Sequence, residues 1–600
     1  MSGAGGPMIG LIAVTAGGRS AAERLAAVLP YAHIYDGPAA SAIPLAFAEC
    51  DAIISFLAVG ATVRIAAPLI TGKYEDPGVV CVDEALRFAI PVLGGHAGGA
   101  NVLARRVAGI LGATAVITTA AEAAGSVGLD EFGADLGFVV EPGSHTAPVG
   151  AAILSGERVT LTMEHQWPVP PLPPNVVRTV HPEPGVPAIV VGDELPPPVA
   201  AEPPRAAPPG PRVTYRPPSL VVGVGASTGV SADEAGRLID EVLAAAGLSP
   251  RSVRWLATAD ITANEPGLLA VARQRGWQVV SAPAAELARG PAPTPSEIVR
   301  AAVRTPSVAE AAALLVAAGG VNREGGSASG APADAGGAWL VVTNRASARA
   351  AVAVARRRPR GRLALIGLGP GARDLMTPRA VAELRRASVV VGLDQYVKQV
   401  ADLIPPGTRV MASVLGEERE RAAAAVAEAL AGRAVALIGS GDAGIYAMAS
   451  PALQLADERV EVVGVPGVTA ALAAGSVLGA PLGHDHATIS LSDLHTPWEV
   501  IERSIRAVAQ ADLVTCFYNP SSRSRTWQLG RALAILAEYR PPGTPIGWVR
   551  DASRPGQRAG IATLATFDPA AVDMHTLVVV GSSRTTVVAG RMVTPRVSTW

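Results

Sequence analysis

The sequence predicts an α/β chain of several domains, and three observations carry this. Short β-branched runs alternate with amphipathic helical runs along the whole chain. A length of 600 residues with 49% hydrophobic and 17% charged content is enough to bury several cores. Proline- and glycine-rich stretches then cut the alternation into blocks: residues 8–138, 219–355 and 362–600, with 139–218 as a proline-rich middle region and linker. PVPPLPPNVV, ELPPPVAAEPPRAAPPGPR and RPPS read as extended, polyproline-like chain flanking at most a small strand unit. GGVNREGGSASGAPADAGG, from Gly319 to Gly337, reads as a flexible loop, and the basic run ARRRPRGR, from Ala355 to Arg362, as a solvated connector.

The elements follow in order. VVCVDEALRFAIPVL, ANVLARRVAGILG and TAVITTA describe strand, helix and strand in the first block. SLVVGVG, SADEAGRLIDEVLAAAG, VRWLATAD, PGLLAVARQRG and WQVVSA repeat the alternation after the middle region. From Arg362, LALIGLG, a helix starting near Thr377, SVVVG, EERERAAAAVAEALAG, AVALIGSG, EVVGV and a helix from Thr469 form a third block. ATISLSD, ADLVTCFY, TPIGWVR and TLVVVGSS close the chain, so the last module divides into two lobes, about 362–480 and 481–600.

Charge and cysteine usage exclude several classes. With 50 basic against 51 acidic side chains, nothing pulls the chain toward nucleic acid or an anionic membrane. Cys50, Cys81 and Cys516 lie far apart without a CxxC pair, against a disulfide framework, a structural zinc or an iron–sulfur cluster. The opening MSGAGGPMIGLIAVTAGG has no basic segment before its apolar run, and no apolar run reaches membrane-spanning length. A soluble, cytoplasmic chain is expected.

LALIGLGPGARDLMTP, from Leu363 to Pro378, holds the chemistry. Gly367, Gly369 and Ala372 satisfy a dinucleotide fingerprint after a strand, and Asp394 follows near the distance expected of a ribose-binding acid. Pro370 removes an N–H that a pyrophosphate would use, Asp374 adds negative charge, and Thr377 with Pro378 starts the helix late. A second turn, GSGDAGIYAM from Gly439 to Met448, again carries an acid, Asp442. Two acid-bearing glycine turns suit a cationic ligand such as S-adenosyl-L-methionine better than a phosphate. A dinucleotide-dependent oxidoreductase is the rival enzyme class.

GLGPGARDLMTPRA, SGDAGIYAM, VPGVTAALAAG, APLGHDHATISLSDLHTPWEVIE, FYNPSSRSR, DMHTLVVVGSSRT and MVTPR together resemble the tetrapyrrole methylase family, more narrowly its precorrin-3B C(17)-methyltransferases and their cobalt-pathway counterparts. The resemblance implies a two-lobed fold, a homodimer through the methylase domain, a corrin-precursor substrate and S-adenosyl-L-methionine in the cleft. It places Pro370, Ser440, Gly441, Asp442, Ile445, Thr469, Ala470, Tyr518 and Asn519 on the cofactor. Ring contraction after methylation requires proton movement, for which His484, Asp485, His486, Asp493 and His495 are the acid/base candidates. HDH lacks the ligand count and spacing of a structural metal site, so no metal is expected. GSSRT at Gly581 to Thr585 departs from the family's usual GNS.

Upstream, FLAVGATVRIAAPLI, the stretch through LGGHAGGAN and SVAEAAALLVAAGG resemble the cobalt-precorrin-5A hydrolase family. That resemblance makes His96 a catalytic candidate, with Asp83, Glu84, Arg64 and Lys73 as further groups for substrate acids or water. GVGASTGV, with Ala226, Ser227 and Thr228, stands where those hydrolases have a Gly-Cys-Arg/Lys-like turn, and Thr262 stands where they have a lysine. A non-catalytic corrinoid-handling module is therefore the alternative for this half.

Overall fold

The computed structural model describes residues 8–596 apart from 73–74, 96–97, 119–127, 130, 197–209, 290–292, 295–306, 320–336, 495 and 523–524. His96, Lys73, His495 and most of the glycine-rich loop after Gly319 thus lie outside the described residues. The chain divides into two compact units, Met1–Pro359 and Arg360–Trp600.

The first unit opens with β1 (Ile9–Ile12), β2 (Ala32–Tyr35), β3 (Ala52–Ser55), β4 (Gly78–Val82), β5 (Phe88–Leu93) and β6 (Thr114–Ala115), in sheet order β2-β1-β3-β4-β5-β6. Leu11, Ile12, Ile53, Ile54 and Val80 are wholly buried, as unbroken apolar runs must be when helices cover both faces. VVCVDEALRFAIPVL, expected as one strand, is the antiparallel pair β4 and β5. Asp83 makes the turn, its Oδ1 accepting from the N–H groups of Arg87 at 2.7 Å and Phe88 at 2.6 Å.

The middle region departs from the expected linker. It forms β7 (Val139–Val140), β8 (Val159–Met163), β9 (Val176–Arg178), β10 (Ala188–Val191) and β11 (Arg212–Arg216), a five-stranded sheet in order β7-β11-β10-β8-β9. Phe132, Val149, Val159, Ile189, Val213 and Tyr215 give it a core of its own. Two of its described prolines show how proline is compatible with these ladders. Pro187 and Pro211 each stand one residue before a strand, where no N–H is needed, and their carbonyls accept from Thr160 and Ala188 at 2.9 Å.

The third sheet, order β14-β13-β12-β16-β15, consists of β12 (Leu220–Ala226), β13 (Val253–Ala259), β14 (Gln278–Ala282), β15 (Trp339–Ala346) and β16 (Ala350–Arg356). Its last strand corrects the reading of the basic run as a solvated connector. Arg356 is buried, with Nε 3.0 Å from Asp193 Oδ2, Nη2 2.5 Å from Asp193 Oδ1 and Nη1 2.8 Å from Glu164 Oε1. Glu194 completes the group at 3.3 Å.

Three acids crowd one guanidinium there, and burial, reinforced by Asp193, pushes the Glu164 carboxyl up to about 6. A raised folded-state pKa means stability fully present below the unfolded value, near 4.5, and lost as pH rises through about 6. Glu164→Gln is accordingly expected to raise the thermal midpoint of the first unit at pH 8 and leave it unchanged near pH 5. Equal shifts at both pH values would contradict this.

In the second unit β17 (Gly361–Gly367), β18 (Val389–Leu393), β19 (Arg409–Ser413), β20 (Ala434–Gly439) and β21 (Val460–Val465) form a parallel sheet in order β19-β18-β20-β17-β21. After β22 (Gly479–Ala480) the second lobe contains β23 (His486–Ser490), β24 (Val514–Tyr518), β25 (Pro545–Arg550), β26 (Arg558–Thr563) and β27 (Thr576–Val580), in order β23-β24-β27-β25-β26. β28 (Thr586–Val588) and β29 (Arg591–Val593) join β22 in a small sheet. Among the described residues no helix is long and apolar enough to cross a membrane.

Candidate active site

The first wall of the site is built from backbone at the carboxyl ends of β17, β20 and β21, the edge where open parallel sheets take ligands. Leu368 N–H donates to Gly439 O at 2.8 Å, and Gly369 and Gly441 exchange two bonds at 3.0 and 2.8 Å. A Cβ on Gly367 would lie 2.6 Å from Gly441 O and 2.8 Å from Gly467 N, so only glycine lets the three turns meet. Asp442 ties its own turn to the one after β21: its Oδ1 accepts from Gly444 N–H at 2.8 Å and its Oδ2 from Gly467 N–H at 2.9 Å. The late helix start is present, with Thr377 Oγ1 accepting from Ala380 N–H at 3.2 Å at the head of Pro378–Arg386. Asp394 is engaged by Lys398 at 2.6 Å on its own helix.

The second lobe meets this wall through Tyr518, at the end of β24. Its hydroxyl lies 2.6 Å from Thr469 Oγ1 and accepts from Ala471 N–H at 2.9 Å, capping the helix Ala470–Leu478 in place of a side chain from Thr469. Burial pushes the Tyr518 phenol up. Tyr446 reaches the other way, its ring 5.2 Å from that of Tyr518 and its hydroxyl donating to Thr488 O at 2.8 Å. Tyr518→Phe leaves the Ala471 N–H uncapped and is expected to cost about 1–2 kcal/mol of stability. Thermal unfolding of the purified variant checks this, and an unchanged midpoint would refute the cap.

Asn519, in a left-handed turn at φ 52°, donates from Nδ2 to Ser490 Oγ at 3.1 Å. Buried Arg525 donates to Asn519 O at 3.1 Å and Ser492 Oγ at 3.3 Å, and Gln528 donates to Asp493 Oδ2 at 2.9 Å. Asp493 therefore shares the edge of Tyr518 and Asn519. His484, Asp485 and His486 do not: they precede or begin β23, whose other end carries Ser490, a rise of about 13 Å away. There His484 Nδ1 accepts from Asp485 N–H at 2.8 Å and the Asp485 side chain is 81% exposed. Of the acid/base candidates, the structure places Asp493 at the edge of Tyr518 and Asn519, and His484, Asp485 and His486 at the other end of β23.

Ser440, Gly441, Asp442, Thr469 and Ala470 line the contiguous wall, and Ile445 lies exposed beside it. Pro370 is buried, with its carbonyl directed at the second lobe. Sequence reasoning missed Arg554, Tyr446 and Arg525. Tyr446 and Arg525 stand inside the motifs SGDAGIYAM and FYNPSSRSR, and Arg554 is a cation in a turn after a predicted strand.

The donor set fits a cationic methyl donor. Carbonyls, hydroxyls and the Asp442 carboxylate dominate the wall, and acceptors of this kind tolerate a sulfonium and hold ribose hydroxyls.

Comparison with known proteins puts this two-lobed α/β unit with its paired turns among the methyltransferases. The chain belongs to the tetrapyrrole (corrin/porphyrin) methylases, whose family model matches residues 362–568. Within that family it resembles the C(17)-methyltransferases of cobalamin biosynthesis. It is 46% identical over 237 residues to the probable cobalt-factor III C(17)-methyltransferase of Salmonella typhimurium, covering 39% of this chain and 98% of the relative. It is 40% identical over 234 residues to the precorrin-3B C(17)-methyltransferase of Sinorhizobium sp, covering 38% and 91%. It spans only 45% of the cobalt-factor III methyltransferase of Priestia megaterium, at 41% identity over 244 residues and 40% of this chain. Residues 41–122 match the model for cobalamin synthesis G N-terminal, and 220–355 that for cobalamin synthesis G C-terminus. The chain is a fusion of these modules with a methylase.

Proposed function

We propose that the second unit transfers a methyl group from S-adenosyl-L-methionine to C17 of precorrin-3B, with contraction of the ring to precorrin-4. The observation that carries this is the junction of the Gly367, Gly439 and Val465 turns, through the Gly369–Gly441 backbone pair and the Asp442–Gly467 bond, an acceptor-rich wall in a chain of this family. The bound donor supplies a methyl on a sulfonium, which the ring carbon takes as the carbon–sulfur bond breaks. The chain's own residues position: the turns fix the donor, Tyr518 and Tyr446 close the second lobe over it, and Asp493 stands at the same edge to move the proton that contraction requires.

A second substrate, cobalt-factor III, is favoured by the cobalamin synthesis G modules in the first unit. Incubation with S-adenosyl-L-methionine and either precorrin-3B or cobalt-factor III should give a gain of one methyl in mass. If neither ring gains it, the assignment falls.

For the first unit the same position favours corrinoid handling without hydrolysis. Thr262 is buried, 2.8 Å from Thr258 Oγ1 and donating to Ala259 O at 3.2 Å, where the hydrolase resemblance leads one to expect a lysine. Release of a two-carbon aldehyde from a lactone-bearing corrin precursor, abolished by His96→Ala, would overturn this. A cytoplasmic homodimer formed through the methylase unit completes the proposal, and sedimentation tests it.

A further inference from the structure

The turn between β25 and β26 aims one arginine at the donor wall. Asp551 and Ser553 both take left-handed conformations, at φ 49° and 61°, and Arg554 N–H donates to Asp551 O at 2.9 Å. Gln557 Oε1 accepts from Ser553 N–H at 2.7 Å. The loop so fixed sends the Arg554 side chain across Gly371, where a Cβ would stand 2.3 Å from Arg554 Cγ. Its Nε donates to Pro370 O at 2.8 Å and its Nη2 to Ser440 Oγ at 3.1 Å.

Both partners are neutral. The acids nearest in sequence are already taken, because Arg550 binds Asp551 and Asp573, each at 2.8 Å. Arg554 is thus a half-buried guanidinium with no carboxylate partner among the described residues. It cannot shed its charge, and two of its five N–H donors are used, leaving three in a fork that matches a carboxylate. A cation partly removed from water and lacking a counter-ion gains most from an anionic ligand.

From this we infer that Arg554 is a binding residue for a carboxylate in the cleft, set beside the turns that hold the methyl donor. Two sources share that chemistry: the methionine carboxylate of the donor and an acid side chain of the tetrapyrrole. In either case the bound carboxylate fixes the register between the donor methyl and the ring carbon. The inference rests on the methyltransferase reading and adds to it a specificity-determining residue.

Calorimetry on the full chain with S-adenosylhomocysteine, together with KM for the tetrapyrrole, separates the sources in wild type, Arg554→Gln and Arg554→Lys. If the donor carboxylate is the partner, Arg554→Gln weakens S-adenosylhomocysteine at least tenfold and Arg554→Lys recovers part. If the ring carboxylate is the partner, S-adenosylhomocysteine affinity stays within twofold while KM for the ring rises at least tenfold, again partly restored by lysine. Either result supports the inference. Unchanged affinity and KM in all three proteins, or a fall in kcat alone that is equal in both variants, overturns it.

Should Arg554→Gln unfold, the wild type carries the test. Decarboxylated S-adenosylmethionine and an esterified ring are each compared with the parent ligand, and no weakening in either pair overturns the inference. Wild type that fails to bind S-adenosylhomocysteine sinks the methyltransferase reading itself, a result distinguishable from failure at Arg554.

Discussion

Replacing Asp442 by alanine should weaken binding of S-adenosylhomocysteine about 100-fold while the protein remains folded. The carboxylate accepts from the N–H groups of Gly444 and Gly467 at 2.8 and 2.9 Å and so joins two of the three turns that make the donor wall. Hydrogen bonds to an ionised group contribute about 1.5–3 kcal/mol each. Losing both, with partial compensation by water, leaves about 2.7 kcal/mol, which is the 100-fold. Asp442→Asn keeps one acceptor but turns an NH₂ toward the other N–H, so it should recover less than half of the loss. Calorimetry reads the affinity and far-ultraviolet circular dichroism the fold. Wild-type affinity in Asp442→Ala would remove the carboxylate from any role in holding the site.

The largest stability effect is expected in the first unit. Arg356→Met should destabilise the first unit by about 3–5 kcal/mol, the cost of breaking a buried ion pair from one side. Asp193 is only 1% exposed and would retain the hydroxyl of Ser219 but no positive charge. Glu164 and Glu194 would add repulsion. Hydrogen exchange in β10 and β16 reports the loss directly, since Asp193 follows the first of these strands and Arg356 ends the second. Adding Asp193→Leu to Arg356→Met should restore more than half of the stability, because the uncompensated charge is then gone. A double variant no more stable than the single one would show that packing, not charge, holds this junction.

The contrast between the two sites explains what was legible beforehand. The donor wall could be read because its determinants are local: strand, glycine turn, acid and late helix start occupy consecutive positions from Leu363 to Pro378 and from Gly439 to Met448. The middle domain could not be read. Its strands are short, and Pro187 and Pro211, which count toward a linker in composition, stand in the structure just outside the ladders. Arg356 was hidden for a related reason. A basic run looks solvated until acids 163 and 192 residues away in the chain are seen to close around one of its members.

The sequence by itself determined the α/β class, the two acid-bearing turns and the family, because each depends on residue type and short spacing. Tertiary structure alone decided the rest. It spent one oxygen of Asp442 on its own turn and the other on Gly467 of the next, separated His484, Asp485 and His486 from Asp493 along one strand, and brought Arg554 to Pro370 and Ser440 from 184 and 114 residues away. Contacts of that range are set by how sheets stack and strands run, and no local spacing encodes them.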